Sequence, residues 1–447
     1  MKNLVIILFT FCCAKLGAQT PLISNLQSRE TVSLNGKWQY IMDPYETGFY
    51  NYRWKERAEN DREAYWNSDV PDDKTDRKEH GFTDKQTLTV PGDWNHQAEE
   101  FLYYEGTVWY KKAFDFSKSV VGKKLFLYFG AVNYNCHVYL NGHKLGWHKG
   151  GFTPFNLEIA DSILKPKNNN LVVKVDNKRF ADEVPTLNTD WWNYGGITRD
   201  VQLVVVPEHF ITTYNIQVSK NDEHKIEGSV TFNEVVDEQV TVTIPELKLQ
   251  KTLAVKGDVV RFEMDASGLE RWSPLKPKLY QVNISTATEK LHEKIGFKTI
   301  AVNGTQLLLN GQPLFLRGIC THEEIATEGR RAYSEKDDIK ILTQAKELNC
   351  NMVRLAHYPY NDHMAKVADS MGIMLWSEIP VYWTIKFEDT AVLANARQQL
   401  HDMIEKDRNR ASIIIWSVGN ETPVSPRRTE FMKQLVLSAK GFDSTRL

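Results

Sequence analysis

Cysteine is scarce in this chain. Five stand in 447 residues, and two of them, Cys12 and Cys13, fall in an apolar N-terminal run. The other three, Cys136, Cys320 and Cys350, are too few and too scattered for a disulfide framework, and they lack zinc-ligand spacing. An excess of one charge sign is missing too: 55 Lys and Arg meet 57 Asp and Glu. That excludes the basic stripe of a nucleic-acid binder and the acidic tail of a scaffold. Past the N-terminus no run is apolar and long enough to cross a bilayer, so no membrane partner is expected.

What is present begins with a leader. Lys2, the mostly apolar stretch Leu4 to Cys13, and the small residues Gly17 and Ala18 read as a secretory signal, residues 1–18. The run is too short for a membrane anchor, and Phe11 before Cys12 fits a lipoprotein cleavage site poorly. An exported, periplasmic or extracellular protein is expected. Aromatics make up 11% of the chain, compatible both with sugar stacking and with ordinary large cores.

The length calls for about three domains. Residues 24–207 read as short strands between turns: Val32 to Tyr40, Thr107 to Phe116, Lys124 to Phe129, His137 to Leu140 and Asn170 to Val175, with a hairpin signal at Asn141-Gly142. This predicts a β-sandwich, interrupted by a charged surface insertion from Trp54 to Lys85. Residues 208–301 form a second β segment, with alternation at Phe210 to Val218, Gly228 to Phe232, Gln239 to Ile244 and Val259 to Met264. Its size suits a small immunoglobulin-like sandwich.

From 302 to 447 the pattern changes. A hairpin turns at Asn310-Gly311, and then strands alternate with helices, which means parallel strands in an α/β domain. Ser334, with Asp337 three residues on, caps a helix to about Leu348; Asn361 caps another to Met371, closed by Gly372. A helix over Thr390 to Asp407 and a last one over Glu430 to Lys440 follow. The strands are one that gives way to polar residues at Arg317, then Asn351 to Leu355, Ile373 to Trp376, and the β-branched run at Ile413 that reads as buried on both faces.

Each of these four strands ends in polar residues. The first gives Arg317, His322 and Glu323; the second Arg354 and His357; the third Trp376 and Glu378; the fourth Trp416, Asn420 and Glu421. Basic, aromatic and acidic groups at successive strand ends form a rim of the kind on which barrel active sites are built. Other readings stand beside this one. Arg354 and Glu378 could be a buried structural bridge. His357 could cap a turn, Trp416 could be core rather than a sugar platform, and Glu421 could answer a helix dipole.

The chain resembles glycoside hydrolase family 2, the family of β-galactosidases, β-glucuronidases and β-mannosidases. The resemblance rests on VSLNGKW (Val32 to Trp38), VWYKKAF (Val108 to Phe114), VYLNGHKLGWHKGGFTPF (Val138 to Phe155), DWWNYGGITRDV (Asp190 to Val201), LRGICTHEE, NMVRLAHYP and WSVGNE. It implies a jelly-roll sandwich, an immunoglobulin-like sandwich and a (β/α)8 TIM barrel, here incomplete with about four strands. It implies a retaining exo-β-glycosidase acting on terminal β-galactoside or β-glucuronide. Glu421 matches the general acid/base, a role that needs a carboxyl protonated at working pH and hence a burial or a like charge that raises its pKa. Asn420 would bind the sugar 2-hydroxyl. Arg354 and His357 would line the sugar subsite with His322 and Trp416. Asp190 would reach across from the first domain, or merely pack it against the barrel. Glu378 falls where some galactosidases bind a metal, but a lone glutamate makes no metal site, so neither metal nor cofactor is expected. The family's second glutamate, the nucleophile, is not found. The alternative is therefore a truncated, inactive carbohydrate-binding protein. Self-association stays open.

Overall fold

The computed structural model describes residues 21–46, 82 and 84–447. The expected leader, 1–18, and nearly all of the insertion expected from Trp54 to Lys85 lie outside the described residues.

The first β segment is a sandwich of two antiparallel sheets. Four strands run Glu30–Ser33, Val201–Pro207, Lys123–Phe129 and Phe155–Ile159 in that spatial order. Six strands form the other sheet, with Thr107–Phe114 and Asn169–Asp176 at its centre. The alternating apolar residues of both sheets, among them Trp38, Tyr110, Leu127 and Val173, meet in one core. The hairpin signal at Asn141-Gly142 holds: both residues have positive φ, 50° and 85°, and Leu140 pairs with His143.

In the second segment the separate strands expected from the sequence are continuous. Lys225–Ile244 and Leu249–Asp265 make one long hairpin, with an irregularity between Thr231 and Val236. Ile211–Val218, Tyr280–Ser285 and Lys290–Ile295 complete a sheet that encloses its own core of Ile216, Val230, Val242 and Tyr280.

The third segment carries four parallel strands, which we label β1 (Gly318–Thr321), β2 (Met352–Leu355), β3 (Met374–Glu378) and β4 (Ile413–Ser417), hydrogen-bonded in chain order. Helices α1 (Glu335–Glu347), α2 (Asp362–Met371), α3 (Thr390–Asp407) and α4 (Pro426–Phe442) cover one face. Local chemistry sets their ends. Ser334 and Asp337 form a reciprocal capping box, and Asn361 and Ser425 accept from the first turns of α2 and α4. Gly372 ends α2 with φ 70°, and a Cβ there would lie 2.5 Å from the Pro274 carbonyl oxygen, so only glycine fits. The last helix starts earlier than the expected Glu430, because Pro426 is placed where a missing N–H costs nothing. Among the described residues no helix is long and apolar enough to cross a membrane. Among the described residues the three cysteines are free: Cys136 is buried, Cys320 exposed and Cys350 half-buried.

Two expectations fail here. Arg317 precedes β1, so it stands at the opposite end of the sheet from the rim, exposed and donating to the Asn349 carbonyl. Trp416 lies on the helix-covered face, 6% exposed, with its indole N–H donating to Asp443 at 3.0 Å. Side chains alternate along a strand, and Trp416 pairs in register with the buried Ser377, not with the rim-facing Trp376. It is core and not a sugar platform.

Candidate active site at the strand ends

The C-terminal ends of β2, β3 and β4 are laced together by side chains. Glu378 closes β3 and is fully buried. Arg354 from β2 donates to it through Nε at 3.2 Å and Nη2 at 2.8 Å, and His357 Nδ1 meets the other oxygen. The same Arg354 Nη2 donates to Asn420 Oδ1 at 2.7 Å. The bridge that the sequence left open as structural therefore exists, and it also fixes Asn420. The Asn420 amide nitrogen, buried and without a partner, is left free to donate.

The first domain supplies the opposite wall. Asp190 is exposed on its loop, with its carboxylate beside the Tyr382 hydroxyl. Trp191 beside it is buried, with its ring centroid 5.1 Å from Tyr382, 6.1 Å from His357 and 6.2 Å from His322. Burial, with His357 beside it, holds the His322 imidazole below its ordinary pKa, so the ring is neutral at pH 7. Donor atoms of Asp190, His322 and His357 all lie within 4.8 Å of one another. Two imidazoles and a carboxylate match the ligand preference of a zinc-like ion, and the same three groups match sugar hydroxyls. Glu378 itself has no capacity left for an ion.

Glu421 follows Asn420 just past β4. It is exposed, where burial was expected, and its Oε2 accepts from the indole N–H of Trp383 at 2.9 Å. Glu323, expected near the rim, is instead fully buried under the first domain. Arg199 (3.0 Å), Arg331 (2.7 Å) and the Asn361 backbone N–H all donate to it. Burial alone would raise its carboxyl, but the two arginines outweigh that and hold it below the ordinary value. Arg199 also donates to the carbonyls of Phe152 (2.8 Å) and Pro359 (2.7 Å), and Phe152 stacks on Tyr358 with centroids 4.1 Å apart. Tyr358 in turn packs on Trp191, the neighbour of Asp190, with centroids 5.3 Å apart.

Sequence reasoning placed Asp190, His322, Arg354, His357, Glu378, Asn420 and Glu421, and the structure brings them to one end of the sheet. It missed Trp191, Tyr382 and Trp383. The aromatic pair in DWW and the VYW after Glu378 were visible, but nothing in their spacing gave their direction.

Residues 31–207 match the family model of the glycosyl hydrolases family 2 sugar binding domain, and residues 300–447 match that of the family 2 TIM barrel domain. The chain belongs to glycoside hydrolase family 2. Among curated relatives, a β-glucuronidase of Bacteroides fragilis is 30% identical over 81% of this chain and 57% of its own length. A putative β-glucuronidase of Formosa agariphila is 29% identical over 75% of the chain and 43% of its own length. A β-galactosidase of Thermoanaerobacterium thermosulfurigenes is 27% identical over 94% and 57%. The chain thus spans about half the length of these curated relatives. A solved β-glucuronidase from Ruminococcus gnavus, in complex with D-glucuronic acid, superposes with a TM-score of 0.79 at 23% identity. It covers 96% of this chain and 73% of its own.

Proposed function

We propose that the complete protein is a retaining exo-β-glycosidase that removes terminal β-galactoside or β-glucuronide residues, with Glu421 as the general acid/base. The observation that carries this is the shared rim: Glu421 and Asn420 leave β4 beside the Arg354–Glu378–His357 cluster, and Asp190 faces them from the first domain. Glu421 protonates the bridging oxygen as the bond breaks and later takes a proton from the incoming water. The free Asn420 amide donates to the sugar 2-hydroxyl, and Asp190, His322 and His357 take the remaining hydroxyls. Its exposure lets Glu421 reach solvent water, and a bound substrate supplies the burial that the acid role needs.

The covalent step needs a second carboxylate about 5–5.5 Å away. Glu378 does not serve, since Arg354 and His357 occupy both its oxygens. We place the nucleophile outside the residues described here, in the strands that a closed barrel of eight requires. The jelly-roll and immunoglobulin-like readings of the two β segments and export through residues 1–18 belong to the same proposal.

The test is turnover by the complete protein on aryl β-galactosides and β-glucuronides. Glu421→Ala should lower rates on poor leaving groups by about 10²–10⁴-fold, spare activated aryl glycosides, and be rescued by azide. Equal loss on both leaving-group classes overturns the assignment. The 447-residue chain alone should show almost no turnover. Normal rates from it, abolished by Glu421→Gln, would place the nucleophile inside it.

A further inference from the structure

We propose that Trp383 is the floor of a subsite for a pyranose leaving group and that it aims Glu421 at the bond to be cleaved. This rests on the reading of Glu421 as the acid. The loops after β3 and β4 are joined like a short ladder. Asn420 N donates to the Val381 carbonyl at 2.9 Å, Trp383 N donates to the Asn420 carbonyl at 3.3 Å, and Tyr382 bridges Asn420 in parallel register. Gly419 makes the approach possible: a Cβ there would lie 2.9 Å from the Val381 carbonyl oxygen, a backbone atom that cannot step aside.

At the last rung two residues that are not glycine adopt the left-handed conformation, Trp383 with φ 48° and Glu421 with φ 50°. L-residues avoid this region, and such conformations persist where the surroundings over-determine them. Here they bring the two side chains together, indole Nε1 to carboxylate Oε2 at 2.9 Å. The contact gives the exposed carboxylate one fixed orientation.

The indole also continues an aromatic shelf outward. His357 packs on Tyr382 at 5.3 Å, and Tyr382 on Trp383 at 4.9 Å and 30°. Tyr382 is buried at 1% exposure, whereas Trp383 is 40% exposed. The inner end of the shelf lies with Asp190, His322 and His357, where the terminal sugar belongs. An acid that touches the bridging oxygen has the terminal sugar on one side and the leaving group on the other. The ring that holds this acid from outside is therefore next to the leaving group. An open indole face is suited to the C–H face of a pyranose.

The discriminating ligands are a β-linked disaccharide and the methyl β-glycoside of its terminal sugar, galactose or glucuronic acid, titrated calorimetrically into the complete protein carrying Glu421→Gln. Adding Trp383→Ala should weaken the disaccharide by about tenfold more than the methyl glycoside, which has no ring to stack. Trp383→Phe, which keeps a ring and loses the N–H, should hold disaccharide affinity within about threefold. In the otherwise native enzyme, that same Phe variant should lower kcat on the disaccharide more than on an activated aryl glycoside, with KM little changed. Equal weakening of both ligands by Trp383→Ala overturns the proposal. So do an unchanged disaccharide affinity and a failure of either saccharide to bind. If turnover proves indifferent to Glu421→Ala, the assignment of the acid falls, while the calorimetric result still decides the subsite.

Discussion

Among the described residues two glutamates, Glu323 and Glu378, are fully buried, and each is held by two basic side chains, yet their surroundings differ. Glu323 is gripped by Arg199 and Arg331, which are 4% and 2% exposed, and the arginines in turn donate to backbone carbonyls or pack on Phe152 and Tyr358. Glu378 is gripped by Arg354 and His357, which are 20% and 11% exposed and end at a rim. In the first cluster every group turns inward and the product is a joint between domains. In the second, the carboxylate is an anchor whose partners keep other atoms free, notably through Asn420. A buried ion pair by itself says little about function; the direction of the unused donors does.

Breaking the joint should have the largest effect. Glu323→Ala strands two arginines in the interior, a change that costs about 3–5 kcal/mol. Chemical denaturation should show the midpoint falling by a correspondingly large step, with the first domain loosening from the barrel segment. Glu378→Gln, in the open cluster, should be the milder loss of stability and should instead abolish sugar binding measured by calorimetry. If the two variants show the same profile, the distinction between joint and anchor is lost.

The sequence carried the rim because the residues that form it sit at strand ends, where the apolar runs stop and polar residues begin. Asn420-Glu421 after an unbroken β-branched run and His357 after a short strand needed no tertiary information. Trp416 and Glu323 were misplaced for one physical reason. Which face a strand residue takes depends on register, and which domain covers a loop depends on packing, and neither is local. Trp376 and Trp416 both lie inside strands, but one turns to the rim under Arg354, 4.8 Å from its ring, and the other turns to α4. Tyr382 and Trp383 were legible as aromatics and illegible as a shelf, since left-handed backbone at a non-glycine leaves no mark in composition.

The joint also contains a group that works against it. Asp338, at the start of α1, is buried, and neither carboxyl oxygen has a partner in normal hydrogen-bond geometry. Burial, with the charge of Glu323 nearby, raises its pKa well above the ordinary value. A carboxyl with a raised folded-state pKa stabilises the fold below its unfolded value, near pH 4, and that contribution is lost as pH rises toward the folded one. Asp338→Asn removes the ionisable proton and keeps the shape. It should raise stability at pH 8 by about 1–3 kcal/mol, and the gain should vanish below pH 4. An equal gain at both pH values would mean that ionisation of Asp338 plays no part.

The smallest effect tests the corrected assignment of Trp416. Burial would raise the Asp443 carboxyl, but Arg446, Thr445 and the Trp416 indole N–H together hold it at about 2. A depressed carboxyl contributes stability that is present above its unfolded value and lost as pH falls toward 2. Trp416→Phe removes one of those donors and part of the ring, so it should cost about 1–2 kcal/mol at pH 7. The acid unfolding midpoint should also move up, because Asp443 then protonates at a higher pH. The saccharide affinity should not change, since the indole faces α4 across the sheet from the rim. A sugar platform would give the reverse, with affinity lost and acid unfolding untouched, so the two readings of this one tryptophan separate on a pair of measurements.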